Sequence, residues 1–415
     1  MHKVDDQRVA ITGSAALMAG VVGAPALWAW LQHDQLLRDR AMDPSLLRGL
    51  AGLSPGEARV LSRQQHLGLA AVELAWVQAG LAARRQPLRG EGHPGLEEPW
   101  RLRAGVVSAS ALGHVAALLE EQASTPQRPS ATSLSRWRGN GLGAAVALRF
   151  GLQGEQLNLN AASSTGAQAL ALAGRLIRSG DQDLMVVVGA EPQLQPLLRQ
   201  ASQKSGALAA SGSSQPLTAS RSGMVPREAA GCLVLERRES AEARGAVPLA
   251  WLEASVTGCE AHHLVAPLPG QALSQRLLQR LLPPGARDRQ AIDWICLHAT
   301  GTRRFDAEEI AFLRQSFPAI PWITAMKRSL GHGLGAAGVV EAALILEGLS
   351  RRAVPPWPRD LDPALVAAPP LGTEAAPLQA PATAPEPRLA LQLASGMGGV
   401  VVMNLLAAAQ RCRHG

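Results

Sequence analysis

Three side chains stand out for the chemistry that their type and setting allow: His298, Lys327 and His332. His298 opens the run His298-Ala299-Thr300-Gly301-Thr302, directly after an apolar stretch. A histidine at a strand end, with two hydroxyls beside it, can donate to an oxygen held in a pocket. Taken alone, it reads more simply as a histidine that caps a turn. Lys327 and His332 share the stretch from Ala325 to Gly338, AMKRSLGHGLGAAG. Lysine is rare in this chain, at Lys3, Lys204 and Lys327, against a background of arginine. A compact ammonium can sit half-buried and orient other groups where a guanidinium cannot. The spacing puts His332 at the opening of a buried helix, where the dipole would keep an imidazole neutral.

Two further stretches are built to bring backbone close to something. Residues 157–174 read LNLNAASSTGAQALALAG. A short strand meets a patch of small residues and then an Ala/Leu helix. Such elbows carry nucleophiles, yet the turn offers only Ala161, Ala162, Ser163, Ser164 and Thr165. The second stretch is Ser395-Gly396-Met397-Gly398-Gly399, between two apolar runs. Its glycines permit a tight turn with positive φ and close ligand approach, or simply a hairpin.

The elements that must position these residues read as a layered α/β fold. Strands are expected at Val9-Ala10-Ile11, Arg103 to Val107, Leu184 to Gly189, Asp293 to His298 and Leu389 to Leu393. LMVVVG at 184–189 is an unbroken apolar run of the buried parallel kind. Helices are expected around Trp28, from His114 to Gln122, from Ser164 to Gly180 and across 331–350. The last two are apolar nearly all round, so both should be buried. They share one plan, a small-residue entry, a helix and a polar exit. Two related halves, residues 1–245 and 246–415, would explain it, with the break near Ala241 to Val247. Pro355 to Arg388 reads as a surface loop inside the second half.

Composition narrows the classes. With 415 residues, 47% hydrophobic and 18% charged, the chain is globular. Four cysteines without regular spacing fit a reducing, cytoplasmic setting and argue against disulfides or zinc. No His/Cys cluster suggests a metal. Val9 to Gln32 carries no charge, but Gly13, Gly20, Gly23 and Pro25 interrupt it, so a strand, a loop and a short helix are expected rather than a membrane span. The net charge of +7 comes with 3% aromatics and no Tyr, a poor match to nucleic acid. An acidic protein partner is compatible with it.

Together these motifs resemble the β-ketoacyl-acyl carrier protein synthases of the thiolase superfamily, the decarboxylating kind with a Cys-His-His site. Val9-Ala10-Ile11-Thr12-Gly13 is similar to the family's opening strand. PLTASRSGMVPREAAG, from Pro216 to Gly231, resembles its PFDxxRDGFVxGEGAG stretch. HATGT, with Asp306 and Glu309 after it, resembles the first histidine motif. Lys327 with SLGHGLGAAG resembles KSxxGHxxGAAG, and SGMGG resembles FGFGG. Five motifs in the right order span nearly the whole chain. The resemblance implies a thiolase-like fold of two pseudo-repeated halves in an α/β/α/β/α arrangement. It implies decarboxylative condensation of an acyl chain with malonyl-acyl carrier protein, in fatty acid or polyketide biosynthesis. By the same resemblance, the amides of Ala162 and Met397 form the oxyanion hole. His298 and His332 steady the enolate, Lys327 orients His298, and Thr300 and Thr302 bind the phosphopantetheine arm. No resident cofactor is implied, since that arm arrives on the carrier protein. The chain is expected to dimerise through Leu184 to Val188.

Aligned on the elbow, the family's nucleophilic Cys falls at Ala162. Ser163 and Ser164 do not replace it, because one step around a helix start re-aims a side chain by about 100°. Two readings follow. In one, Ala162 is an introduced substitution in a working synthase. In the other, the chain is a non-condensing partner subunit of the chain-length-factor kind, paired with an active ketosynthase. The retained His298, His332 and Lys327 favour the first. Ser395 and Met397 stand where many relatives carry Phe, which should loosen control over the entering acyl chain.

Overall fold

The computed structural model describes residues 8–33, 36–81, 100–126, 128–283, 289–367 and 378–409. Lys3, Cys412 and the middle of the Pro355–Arg388 segment lie outside the described residues. Among the described residues, eleven strands form one sheet: β1 (Val9–Met18), β2 (Val21–Val22), β3 (Ala104–Ala109), β4 (Gln156–Leu159), β5 (Leu184–Glu191), β6 (Ala229–Arg237), β7 (Ala250–Cys259), β8 (Trp294–Cys296), β9 (Trp322–Thr324), β10 (Leu389–Gly396) and β11 (Val400–Ala408). The order is β4-β3-β5-β6-β1-β7-β11-β10-β8-β9, with β2 hung on β1.

That order is a repeat. Outward from the β1–β7 junction, the first half runs β1, β6, β5, β3, β4 and the second runs β7, β11, β10, β8, β9. In each half the two outer pairings are parallel and the inner ones antiparallel. Only Val9 to Ile11 pair across the junction, with Ala250 to Leu252.

Two central helices, Thr165–Arg178 and Ala337–Arg351, lie between the halves. The first touches β3 and β5 on one side and β7 and β11 on the other; the second touches β1, β5 and β6 and also β10 and β11. The outer layers are Arg63–Gln78 and Gly141–Phe150 on the first half and Ala272–Leu281 and Arg303–Ser316 on the second. Sequence periodicity follows from this layering. On β5, Met185 and Val187 face the central helices, while Leu184, Val186 and Val188 face Trp76 and Phe150. Both faces are buried, so the strand has no polar alternation. Nearly every residue of the second central helix is buried for the same reason.

Some expectations need correction. The first strand does not stop at Ile11; it runs to Met18 past a bulge between Ile11 and Gly13. Pro25 starts the helix Ala24–Leu31 rather than breaking one, since the first turn needs no proline N–H. β8 ends at Cys296, so His298 stands beyond the strand. β5 is parallel to β3 but antiparallel to β6, and lies inside the sheet. It therefore has no free edge for a two-fold mate; the first half's outer strand is β4. No helix among the described residues is long and apolar enough to cross a membrane.

Candidate active site

The elbow is a real one. Ala162 holds φ at +51°, a left-handed conformation that alanine adopts at a cost. The turn is fastened from within. The Thr165 hydroxyl accepts from the Ala161 N–H at 2.9 Å and donates to the Ala162 carbonyl at 2.5 Å; the Ser164 hydroxyl donates to the Ala161 carbonyl at 2.7 Å. Ser163 and Ser164 are thus in the turn, and Ser164 serves as a packing and hydrogen-bonding residue. Asn160 adds a tie that sequence reading missed. Its Oδ1 accepts from the Ala162 N–H at 3.3 Å and its Nδ2 donates to the Ala111 carbonyl at 2.9 Å.

The glycine turn sits against this elbow. A Cβ on Gly396 would lie 2.2 Å from the Ala161 oxygen, so only glycine permits the approach. Gly398 and Gly399 have φ of +91° and +83°, which closes the turn between β10 and β11. It is therefore a hairpin turn and also a wall of the elbow. Ser395 is half-buried and Met397, at the tip, is exposed.

The two histidines come together, with ring centroids 5.9 Å apart and planes nearly perpendicular. Both are buried. Glu309 fixes the turn that carries His298. Its two oxygens accept from the His298 and Ala299 N–H groups at 2.7 and 2.8 Å. Phe305 meets the His298 ring edge-on. Asp306 accepts from the Gly301 and Leu217 N–H groups at 3.0 and 2.8 Å, which ties this turn to the Pro216–Gly231 segment. That segment also braces His332. The His332 N–H donates to Val225 and its carbonyl accepts from Arg227, at 2.8 and 3.0 Å. Thr300 and Thr302 are half-buried, with hydroxyls 3.1 Å apart.

His332 does not open the second central helix, which begins at Ala337. It lies in the turn after Lys327–Leu330, ahead of the 3-10 turn Leu334–Ala336 that leads into that helix. Burial, then the Lys327 charge, holds its pKa well below the usual histidine value. His298 is held down by burial, Lys327 and His332 in that order. Nδ1 of His332 accepts from the Leu334 N–H at 3.1 Å, so the proton of the neutral ring sits on Nε2. That Nε2 is buried and has no hydrogen-bond partner among the described residues.

Lys327 is buried, and its ammonium bonds the Glu341 carboxylate at 2.5 Å. The expectation that it orients His298 is recast: its bond goes to Glu341, and its charge acts on both rings. Glu341 carried a readable signal, a lone charge amid the apolar run AAGVVEAALIL. Glu191, at the end of β5, carried none. Its carboxylate gathers the Ser110 hydroxyl and the Ala111 and Leu112 N–H groups, and burial pushes its pKa up to about 7 despite those donors.

The starts of the two central helices touch. A Cβ on Gly166 would lie 3.0 Å from the Gly335 oxygen and 2.8 Å from the Val339 nitrogen. This contact brings the elbow and the His332 turn to one place. Among the described residues, no three His, Cys, Asp or Glu side chains gather as metal ligands.

Comparison with known proteins bears on the family and the fold. Residues 41–241 match the model of the β-ketoacyl synthase N-terminal domain and residues 249–359 that of the C-terminal domain. The chain is 29% identical over 372 residues to a putative polyketide beta-ketoacyl synthase 1 of Streptomyces cyaneus, covering 84% of this chain and 87% of that one. It is 27% identical over 369 residues to nodulation protein E of Rhizobium meliloti, covering 85% and 88%. Its fold is similar to that of the ishigamide ketosynthase/chain length factor (TM-score 0.79, 23% identity, covering 98% of this chain and 100% of that one). It is also similar to a type II polyketide ketosynthase solved with its acyl-carrier protein (TM-score 0.79, 20% identity, covering 98% and 100%). Two domain models in the right order, over a fold that brings the elbow and both histidine motifs together, place the chain in the β-ketoacyl synthase family.

Proposed function

We propose that this chain works in polyketide-type chain assembly as a ketosynthase-family subunit that handles the malonyl unit but forms no acyl-enzyme. The observation that carries this reading is the residue at the left-handed elbow. Ala162 offers a methyl group where thioester formation needs a sulfur. Asn160 supports it, since its side chain takes the Ala162 N–H that would otherwise be aimed at an oxyanion.

The malonyl-handling half is intact. Neutral His332 presents Nε2–H, with His298 beside it, to the carbonyl oxygen of a malonyl thioester. As the carboxylate leaves as carbon dioxide, its electron pair moves into the enolate, and both imidazoles stabilise the oxygen. A proton taken from water at that carbon then gives the acetyl thioester and leaves hydroxide, which the released carbon dioxide consumes as bicarbonate. Glu309 fixes the backbone that carries His298, and the charge of Lys327, bonded to Glu341, helps keep both rings neutral. Thr300 and Thr302 would meet the phosphopantetheine arm, and Met397 and Ser395 would border the acyl entrance. An acidic carrier protein suits the chain's +7 charge. Condensation would fall to a thiol-bearing ketosynthase-like partner, and a sheet-to-sheet dimer would use the outer strand β4, not β5.

A second reading, a condensing homodimer whose thiol has been substituted, is favoured by the retention of His298, His332 and Lys327. One experiment separates the two. The chain and Ala162→Cys are each incubated with acyl- and malonyl-carrier proteins, with His332→Ala as control. The first reading expects carbon dioxide release that depends on His332, no covalent adduct on the unaltered chain, and no elongation by the lone Cys variant. Elongation by Ala162→Cys alone establishes the second reading. An adduct on Ser163 or Ser164 overturns both.

A further inference from the structure

The two central helices cross where no side chain fits between them. A Cβ on Gly338 would lie 2.3 Å from the Ala167 nitrogen. Against this crossing the second-half sheet turns a small apolar strip, in which Ala394 and Val402 pack on Ala167 and Ala171. Two carboxamides stand in the middle of that strip. Gln392 on β10 and Asn404 on β11 are direct partners in the ladder, and both are fully shielded from solvent. Gln392 Nε2 donates to the Gly338 carbonyl at 2.7 Å. Asn404 Nδ2 donates to the Ala167 carbonyl and to Gln392 Oε1, each at 3.0 Å. Asn404 Oδ1 is buried without a hydrogen-bond partner among the described residues.

Two amides in an apolar layer cost free energy that Leu at both positions would not, and one acceptor stays unsatisfied. Packing alone gives no reason for them. Their bonds are directional, however. Each amide grips the backbone of one central helix, and their mutual bond joins the two grips. Ala167 is in the first turn of the helix that follows Ala162. Gly338 is in the first turn of the helix that follows His332. The strands that carry the amides run straight into the Gly396–Gly399 turn. We infer that Gln392 and Asn404 are positioning residues, a clamp that fixes both helix starts and the glycine turn against one another and so sets the separation of Ala162 from His332. This deepens the functional reading and rests on Ala162 and His332 belonging to one site.

The test uses the full chain with Ala162→Cys, whose thiol reports on the elbow. Its alkylation by iodoacetamide is followed against pH, with and without His332→Ala, in the original background and with Gln392→Leu/Asn404→Leu. Removing both amides together leaves no orphaned partner, so Tm should hold or rise. The expected result is an alkylation rate at pH 7 changed about tenfold or more, with its dependence on His332 lost, because small displacements at such sites have large kinetic effects. An unchanged rate with His332 dependence retained overturns the clamp. If His332→Ala is silent even with both amides present, the one-site reading fails instead. The clamp is then judged by hydrogen exchange, as it is if the double variant fails to fold. Asn404→Ala should speed exchange at least tenfold in the first turns of both central helices and leave the helix Arg63–Gln78 unchanged. Equal acceleration in all three helices, or none, overturns it.

Discussion

The two halves share one strand order and one way of starting a central helix, yet they have diverged in what they place there. Each central helix is preceded by a non-glycine residue in the left-handed region, Ala162 at φ +51° in the first half and Leu334 at +47° in the second. The first half spends that geometry on a methyl group, half open to solvent. In the second half the same approach carries His332, buried, with Lys327 and Glu341 sealed behind it. Backbone architecture therefore does not determine chemistry. The repeat supplies two elbows, and the side chains decide which one can move protons and charge. It also implies that stability is drawn differently from the two sites, and this can be tested.

The largest expected difference lies in the buried ion pair. Lys327→Met leaves Glu341 without its ammonium inside an apolar layer, and breaking such a pair costs about 3–5 kcal/mol. Lys327→Met/Glu341→Leu should recover most of that loss, because no charge is then left unpaired. Ala162→Ser, in the other half, should change stability by less than about 1 kcal/mol. Chemical denaturation of the three variants measures all of this. A loss below about 1 kcal/mol for Lys327→Met would show that water or protonation of Glu341 already relieves the site, and the contrast between the halves would collapse.

A second contrast appears along the pH axis. Glu191 has its pKa raised by burial from 4.5 to about 7, so between those values the folded chain binds a proton that the unfolded chain has lost. Its contribution to stability is present below about pH 4.5 and is lost as the pH rises through 7. His298 and His332 have pKa values depressed below 6.5, so their contribution is present above about pH 6.5 and is lost as the pH falls. Glu191→Gln should therefore lessen the decline in Tm between pH 5 and 7.5, to which Glu309 and Asp306, raised by burial to about 7 and about 6, also contribute, and leave the acid limb in place. His332→Ala should do the reverse. Identical pH profiles for the two variants would mean that neither group titrates as its surroundings indicate.

How far the sequence disclosed this site follows from what each residue touches. The five motifs were legible because each combines a residue type with a local backbone need, as Gly396 does with its close approach to Ala161. The order of layers was legible in the unbroken apolar runs of β5 and the second central helix, since burial on both faces removes polar alternation. What stayed hidden depends on contacts between distant segments. Nothing local marks Glu191 as the acceptor for the Ser110–Leu112 turn, or Gln392 and Asn404 as partners across a hairpin. The resemblance points to Leu184 to Val188 as a free edge, yet both edges of that strand are paired within the sheet, which no local pattern discloses. His332 precedes the central helix by the 3-10 turn Leu334–Ala336, a step that the run of small residues does not separate from the helix itself.

The smallest effect is the most pointed test of the comparison, because it should change sign between the halves. An alanine held at φ +51° bears roughly 1–2 kcal/mol of left-handed strain that glycine does not. Glycine gives back about 0.5–1 kcal/mol through the greater freedom of its unfolded chain. Ala162→Gly should thus be neutral or stabilising by up to about 1 kcal/mol, as its methyl is only partly buried. Leu334→Gly relieves the same strain but removes a buried side chain worth about 1.5–3 kcal/mol, so it should destabilise. Midpoints of urea unfolding for the two variants decide the matter. If Ala162→Gly is clearly destabilising, the methyl itself must be packed against something that matters. Ala162 would then be a residue fitted to its place, and the first half's elbow would not be a strained turn.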